Sequence, residues 1–319
     1  MRHGPLPATG APAMSPADPV QADPAVGKSR GCWVVGCLAL LALVVIPGTV
    51  LWGLIAVADD GGKSEPQHRI IEHPLPAGQG LVILRVRMAE VDVIAGPPGS
   101  PLRLEGDWDG ARYRLEERLT NEPGGTWIYR LQFGGKGLAL FAGHGHNRDA
   151  SRLRLRLPRD HRLSIEGKVS LGESELALGG LSLAEVDLDL GAGSHRISFL
   201  EPTAQPLDLL RLDGSVGEIR VLGAGNASPK LLELHHGMGE LLLDLSGRWR
   251  NDGDVTLRLG MGDSEVQLPG RDEAGAIVDH ARVSIGDRQV FDEPTANLPA
   301  GLPRVHIRAT GGMGELTIQ

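Results

Sequence analysis

Aromatic side chains are scarce in this sequence of 319 residues, in which Phe, Trp and Tyr together make up 3%. A buried core must therefore come mainly from Leu, Val, Ile and Ala. Two cysteines are too few for a small fold held together by several disulfides. The chain also lacks an excess of basic residues, since 32 Lys and Arg stand against 40 Asp and Glu, for a net charge of −8. This balance argues against a nucleic-acid-binding protein, which usually carries a basic patch.

The chain is rich in glycine and proline, with 45 and 22 residues respectively, which predicts many turns. It also has one long apolar run, residues 31–58, without a single charged side chain. About 20 apolar residues suffice for a helix to cross a bilayer, so the run predicts one transmembrane helix. Lys28 and Arg30 precede it and two aspartates follow it. The positive-inside rule then places the N-terminus in the cytoplasm and the C-terminal part outside.

A cleaved signal peptide is the alternative, because Ala56–Ala58 resembles a small-residue cleavage site. The apolar run is, however, much longer than the core of an ordinary signal peptide, which favours a retained anchor. Residues 1–30 are rich in Pro, Ala and Gly and predict a disordered cytoplasmic tail. After the helix we expect a linker over 59–79, an N-terminal β cap region over 80–160 and a β-repeat domain over 161–319.

The repeats of the last region share one glycine each. These anchor glycines are Gly172, Gly193, Gly217, Gly239, Gly262, Gly286 and Gly314. Successive anchors are 21 to 28 residues apart, and a second turn signal follows most of them after eight residues. Between the turns apolar and polar residues alternate, which is typical of strands with one buried face. The aliphatic positions four residues after the first five anchors are Leu176, Ile197, Val221, Leu243 and Val266.

Two short strands and two corners in about 22 residues predict an all-β chain with the rungs of a β-solenoid, because stacked rungs share one aliphatic interior. A β-sandwich of successive antiparallel hairpins is the alternative. In either fold the terminal strand, ending at Gln319, would leave an edge able to pair with a second copy of the chain.

The repeat sequences GAGSHRISF from Gly191, GMGELLLDL from Gly237, GMGDSEVQLPG from Gly260 and GMGELTIQ from Gly312 resemble two bacterial families. One is the putative adhesin family, and the other is the toast-rack domain of LiaF-type membrane proteins. The resemblance covers residues 150–319 and, more loosely, 80–150. It implies a membrane-tethered β-repeat domain at a bacterial cell envelope and brings no catalytic residues.

Three motifs could carry chemistry, and each has a simpler structural explanation. His144 and His146 are two potential metal ligands where a zinc site needs three or four. His235 and His236 are adjacent in a predicted strand, where neighbouring side chains point to opposite faces. Gly262-Asp263-Ser264 resembles the start of a hydrolase motif, yet its glycine and acid recur in the sister repeats. We therefore predict no catalytic, cofactor-binding or metal-binding residue.

Acidic residues are numerous on the predicted strands. They include Asp187, Asp189, Glu218, Glu240, Asp244, Asp263 and Glu265. A pair of carboxylates at suitable separation can hydrolyse glycosides, which makes a carbohydrate-active enzyme one alternative. A solvated strand face needs such acids in any case, so the sequence favours a protein that is not an enzyme.

The function predicted is that of a single-pass envelope scaffold, adhesin-like or sensory module. A regulator of envelope-stress signalling is a further alternative. The expected partners are the lipid bilayer, an envelope protein or polymer, and a second copy of the chain, but no nucleic acid. No cofactor is expected.

Overall fold

A computed structural model of the chain describes residues 64–136, 151–290 and 301–319, which belong to one compact unit and are all-β apart from one short helix, α1 (Ala224–Ala227). In this part of the chain no helix is long and apolar enough to cross a membrane. The predicted tail (1–30) and transmembrane helix (31–58) lie outside the described residues, as do His144 and His146. Residues 66–73 of the predicted linker form a strand.

Seventeen strands are found in the described part of the chain. In chain order they are β1 (Pro66–His73), β2 (Gln79–Val86), β3 (Glu90–Ala95), β4 (Leu102–Asp109), β5 (Tyr113–Glu122), β6 (Thr126–Gly135), β7 (Arg152–Leu157), β8 (Arg162–Ala177), β9 (Ser182–Ser198), β10 (Leu209–Leu222), β11 (Leu231–Asp244), β12 (Gly253–Met261), β13 (Ser264–Gln267), β14 (Gly275–Ile285), β15 (Arg288–Val290), β16 (Arg304–Met313) and β17 (Leu316–Ile318).

Strands β8 to β11 each carry one whole repeat, and they lie side by side in parallel. The anchor glycines are register partners, Gly172 with Gly193, Gly193 with Gly217, and Gly217 with Gly239. The later repeats are interrupted at the anchor and form the strand pairs β12/β13, β14/β15 and β16/β17. We call each such strand or strand pair a rung. All pairings between these rungs are parallel.

The predicted aliphatic positions form one buried column across the rungs. Leu176 pairs with Ile197, Ile197 with Val221, Val221 with Leu243, and Leu243 with Val266. None of the five is more than 2% exposed. The interior therefore consists of aliphatic side chains stacked directly above one another, as the spacing of the glycines predicts.

The anchor glycines from Gly172 onward form a second column, in which a side chain would collide with the backbone of the next rung. Gly239 has a φ of +127°, a conformation that L-residues rarely adopt. A Cβ atom on Gly239 would lie 1.9 Å from the carbonyl oxygen of Gly217 in the next rung, and one on Gly217 would lie 2.0 Å from that of Gly193. The close approach of the backbones at this glycine corner therefore explains why every repeat has a glycine there.

The stacking order departs from the chain order at both ends. Rung β2/β3 lies between β8 and the later segments β6 and β7, all in parallel. Likewise β16/β17 lies between β12/β13 and β14/β15. The prediction that the strand ending at Gln319 leaves an edge is therefore wrong. The outer rung β14/β15 precedes β16/β17 in the sequence, and β16/β17 fills the gap between it and β12/β13, so among the described residues the edge at this end of the stack belongs to β14 and β15.

The predicted cap region, 80–160, contains parallel strands of the stack and antiparallel strands that continue the sheet beyond β6 and β7. Strands β5 and β4 pair antiparallel with β6 and β7, and β1 pairs antiparallel with β4. Trp127 and Tyr129 of β6 are fully buried beneath this layer. The few aromatic rings of the chain thus help to close the end of the aliphatic interior.

Candidate functional site

The two adjacent histidines of β11 point to opposite sides of the strand, as expected from the sequence. His235 is partly exposed, with its Nδ1 atom 2.9 Å from Oδ1 of Asp213. His236 is 5% exposed, and its burial lowers the pKa of the imidazole. The two rings therefore do not converge on one ion. The described residues contain no group of three or more His, Cys, Asp or Glu side chains able to hold a metal.

A second buried histidine was not identified from the sequence. His195 is 1% exposed, and its Nδ1 atom lies 2.8 Å from Oγ of Ser174 in the preceding rung. Burial lowers the pKa of His195. Both residues stand two places after an anchor glycine, a regularity that could have revealed the contact. With Ser174 only 4% exposed, this pair fills an interior column and is closed to a substrate.

The Gly262-Asp263-Ser264 motif is an ordinary part of a repeat, with Gly262 as its anchor glycine. Ser264 is 6% exposed in β13, and its N–H donates to the carbonyl oxygen of Glu315, 2.8 Å away. Asp263 is exposed, and its Oδ1 atom accepts the N–H of Glu315 at 3.2 Å. The residues thus join neighbouring rungs, and no histidine contacts the serine in the described structure.

Several candidate acids are paired along the stack. Arg211 lies between Asp187 and Glu233, with its nitrogens 3.3 Å and 2.8 Å from their carboxylate oxygens. Lys168 forms an ion pair with Asp189 of the next rung. This face therefore carries opposite charges that compensate one another from rung to rung, as expected of a solvated strand surface.

Asp244 and Glu265 have structural hydrogen bonds. Asp244 accepts the backbone N–H groups of Gly223 at 3.0 Å and Ser246 at 2.8 Å. Glu265 accepts the side-chain amides of Gln267 at 3.0 Å and Gln319 at 2.8 Å. Asp244 thus stabilises the turn that follows β11, and Glu265 binds the last residue of the chain.

The remaining candidate acids belong to one column, which follows the anchor glycines by one residue. We call it the acidic column, and it contains Glu173, Ser194, Glu218, Glu240, Asp263, Glu315 and Asp287. Glu218 and Glu240 are register partners, and Glu218 forms an ion pair with Arg220. In the described part of the chain the other five acids have no cationic partner, and all five are exposed.

An exposed apolar column precedes the same glycines by one residue. We call it the apolar ladder, and in stacking order it contains Leu171, Ala192, Val216, Met238, Met261, Met313 and Ile285. Each member is the register partner of the next. The large side chains of the ladder are 45% to 62% exposed, and they make up six of the eight large hydrophobic residues found exposed in the described structure. The apolar exposure is thus concentrated on one line.

The ladder is exposed because alternation does not continue across the anchor glycine. Leu234 and His236 of β11 are buried, so a period of two would also bury Met238. The positive φ of Gly239 turns the chain, and the next buried residue is Leu241, three places after Met238. Gly237 stands on the other side of Met238, so neither sequence neighbour has a side chain that could cover the methionine.

The described surface has shallow depressions near both ends of the stack. One of about 690 Å³, beside β1 and β5, is lined by acids such as Glu116 and Glu122 and by bases such as Arg69 and Arg130. The other, of about 600 Å³, lies at the outer rung and is lined by residues including Asp279 and Arg288. Neither lining contains a Phe, Trp or Tyr side chain that could serve as a platform for a sugar ring.

Comparison with known proteins finds no match among family models and none among curated proteins. Solved structures do match. A putative cell adhesion protein from Clostridium sporogenes ATCC 15579 is 13% identical with a TM-score of 0.43, over 80% of this chain and 99% of that one. A putative adhesin (BF0245) from Bacteroides fragilis NCTC 9343 is 9% identical with a TM-score of 0.36, over 79% and 97%.

A putative lipid binding protein from Parabacteroides distasonis ATCC 8503 is 12% identical with a TM-score of 0.25, over 81% of this chain and 95% of that one. The adhesin resemblance stated from the glycine repeats agrees with the names of the first two structures, whereas none of the three is named for a toast-rack domain.

Proposed function

We propose that this chain is a non-enzymatic binding module of a bacterial cell envelope, adhesin-like or scaffolding, that contacts its partner through the apolar ladder. The observation that carries the proposal is the line of half-exposed apolar side chains running across seven rungs. A monomeric soluble protein rarely exposes apolar side chains in a continuous patch unless the patch is an interaction site.

The fold that supports this function is a β-solenoid. The parallel pairing of the rungs, the register of the anchor glycines and the buried aliphatic column favour it over a sandwich of antiparallel hairpins. A solenoid presents equivalent residues at a constant spacing along its length, so the repeats create one extended binding line.

The apolar run at 31–58 supports a single membrane anchor, with residues 1–30 in the cytoplasm and the β-repeat region outside. In that arrangement the lipid bilayer is a partner through the anchor alone. The ladder would then face the envelope rather than the cell interior. The names of the adhesins with similar structures agree with this location.

The proposal is tested with the full-length protein in lipid nanodiscs. Retention on isolated envelope fractions would be compared for the wild type, for Met238→Gln/Met261→Gln/Met313→Gln and for Leu200→Gln. Leu200 is 77% exposed and lies outside the ladder, which makes it the matched control. We expect retention to fall in the triple variant only. Equal retention of the triple variant, or no retention of the wild type, would refute the proposal.

A further inference from the structure

The apolar ladder and the acidic column run side by side across the seven rungs from β8 to β14/β15, separated only by the anchor glycines. We propose that this glycine corner binds a basic amphipathic helix of a partner protein, lying along the stack with its apolar face on the ladder. This inference rests on the proposed function and names the chemistry of the partner.

The dimensions of the ladder suit such a helix. Seven rungs define six intervals of about 4.8 Å, or about 29 Å in total. At a rise of 1.5 Å per residue, this length corresponds to a helix of about 19 residues. The pitch of a helix, 5.4 Å, is close to the rung spacing but not equal to it. Met238, Met261 and Met313 suit this mismatch, because unbranched methionine side chains adapt to different partners.

The charges of the corner select a cationic partner. Glu240 and Asp263 stand one rung apart without a compensating cation in the described structure, and like charges at adjacent positions of a sheet destabilise it. Lys or Arg side chains on the flank of a bound helix would relieve this repulsion.

The same charges disfavour three other occupants. An anionic lipid surface would be repelled by the acidic column. A second copy of the chain would bring the two acidic columns together when the two stacks run in opposite directions. An apolar partner without charge would leave the acids uncompensated at the rim. The basic helix is the occupant that satisfies both columns.

The probe is a synthetic peptide of 19 residues made of Leu and Lys, with Leu on one helical face and Lys on the other. The full-length protein in zwitterionic nanodiscs carries ¹³C-methyl methionine, and Met→Leu variants assign the signals of Met238, Met261 and Met313. Empty nanodiscs provide the reference for binding to lipid. We expect the peptide to shift these three signals.

Two variants test the two columns separately. Met238→Gln/Met261→Gln/Met313→Gln should weaken peptide binding at least tenfold, measured by fluorescence anisotropy. Glu173→Gln/Glu240→Gln should weaken it about threefold, an effect that salt reduces. The matched control for the acids is Glu122→Gln/Glu185→Gln, two exposed acids outside the column, and that for the methionines is Leu200→Gln. Both should bind as the wild type does.

Three outcomes would overturn the inference: unchanged methionine signals, equal binding of a peptide with Glu in place of Lys, or stronger response of the ladder to anionic vesicles than to the peptide. If the peptide fails while the triple methionine variant still loses retention on envelope fractions, the partner chemistry is wrong and the proposed function stands. If the triple variant behaves as the wild type in both assays, both proposals fail.

Discussion

Gly239→Ala would place a methyl group where the neighbouring backbone already lies. The new Cβ atom would be 1.9 Å from the carbonyl oxygen of Gly217, and the φ of +127° is itself unfavourable for alanine. The backbone strain alone is worth about 1–3 kcal/mol. Separating two paired rungs adds an overpacking cost of about 1–3 kcal/mol. We therefore expect the free energy of unfolding to fall by about 2–6 kcal/mol.

Two other glycines separate these contributions. Gly124 has a φ of +102° but open space around its Cβ position, so Gly124→Ala reports backbone strain alone. Gly134 has no positive φ, and its nearest neighbour is the Arg87 side chain at 3.8 Å, so Gly134→Ala should be almost neutral.

The assay is urea unfolding of the full-length protein, followed by tryptophan fluorescence. The order expected for the loss of stability is Gly239→Ala, then Gly124→Ala, then Gly134→Ala. A loss for Gly239→Ala within about 1 kcal/mol of that for Gly124→Ala would refute the reasoning, because the close approach of the rungs would then contribute nothing.

Three further measurements test other parts of the structure. Burial lowers the pKa of His195 and His236 in the folded state, so below about pH 6.5 the unfolded chain binds more protons than the folded chain. The contribution of these two histidines to stability should therefore be constant above that pH and fall below it. In urea unfolding against pH, His236→Leu should reduce this fall, and an unchanged profile would contradict it. Leu243→Ala should cost about 2–5 kcal/mol in the same unfolding assay, because the side chain is fully buried in the aliphatic column, and a loss below about 1 kcal/mol would show that the column is not a packed interior. Lys168→Gln should cost at most about 1 kcal/mol, less still in high salt, because its ion pair with Asp189 is exposed to solvent, and a larger loss would show that the charged face stabilises the stack.

The interior could be predicted from the sequence because the repeat fixes the phase of each rung. Once Gly193, Gly217 and Gly239 are aligned, the residues four places later fall into one column, and they are buried as expected. The spacing of glycines says nothing, however, about which rungs are neighbours. A rung has the same sequence pattern whether it stacks next to the rung that precedes it in the chain or is inserted between two earlier rungs. For that reason the edge was predicted at Gln319 and is found at β14 and β15.

The apolar ladder shows why the candidate surface could not be predicted in the same way. Alternation counts positions along a regular strand, and it predicts a buried Met238 from the buried Leu234 and His236. At the anchor glycine the chain turns, and the alternation of buried and exposed positions begins again with a different phase. The conformational freedom that lets the rungs approach so closely is therefore also what turns one apolar position in every repeat to the solvent. The methionine side chains at this position are about half exposed in three rungs, so packing inside the stack does not account for them. Contact with a partner along the ladder, as we propose, would account for them.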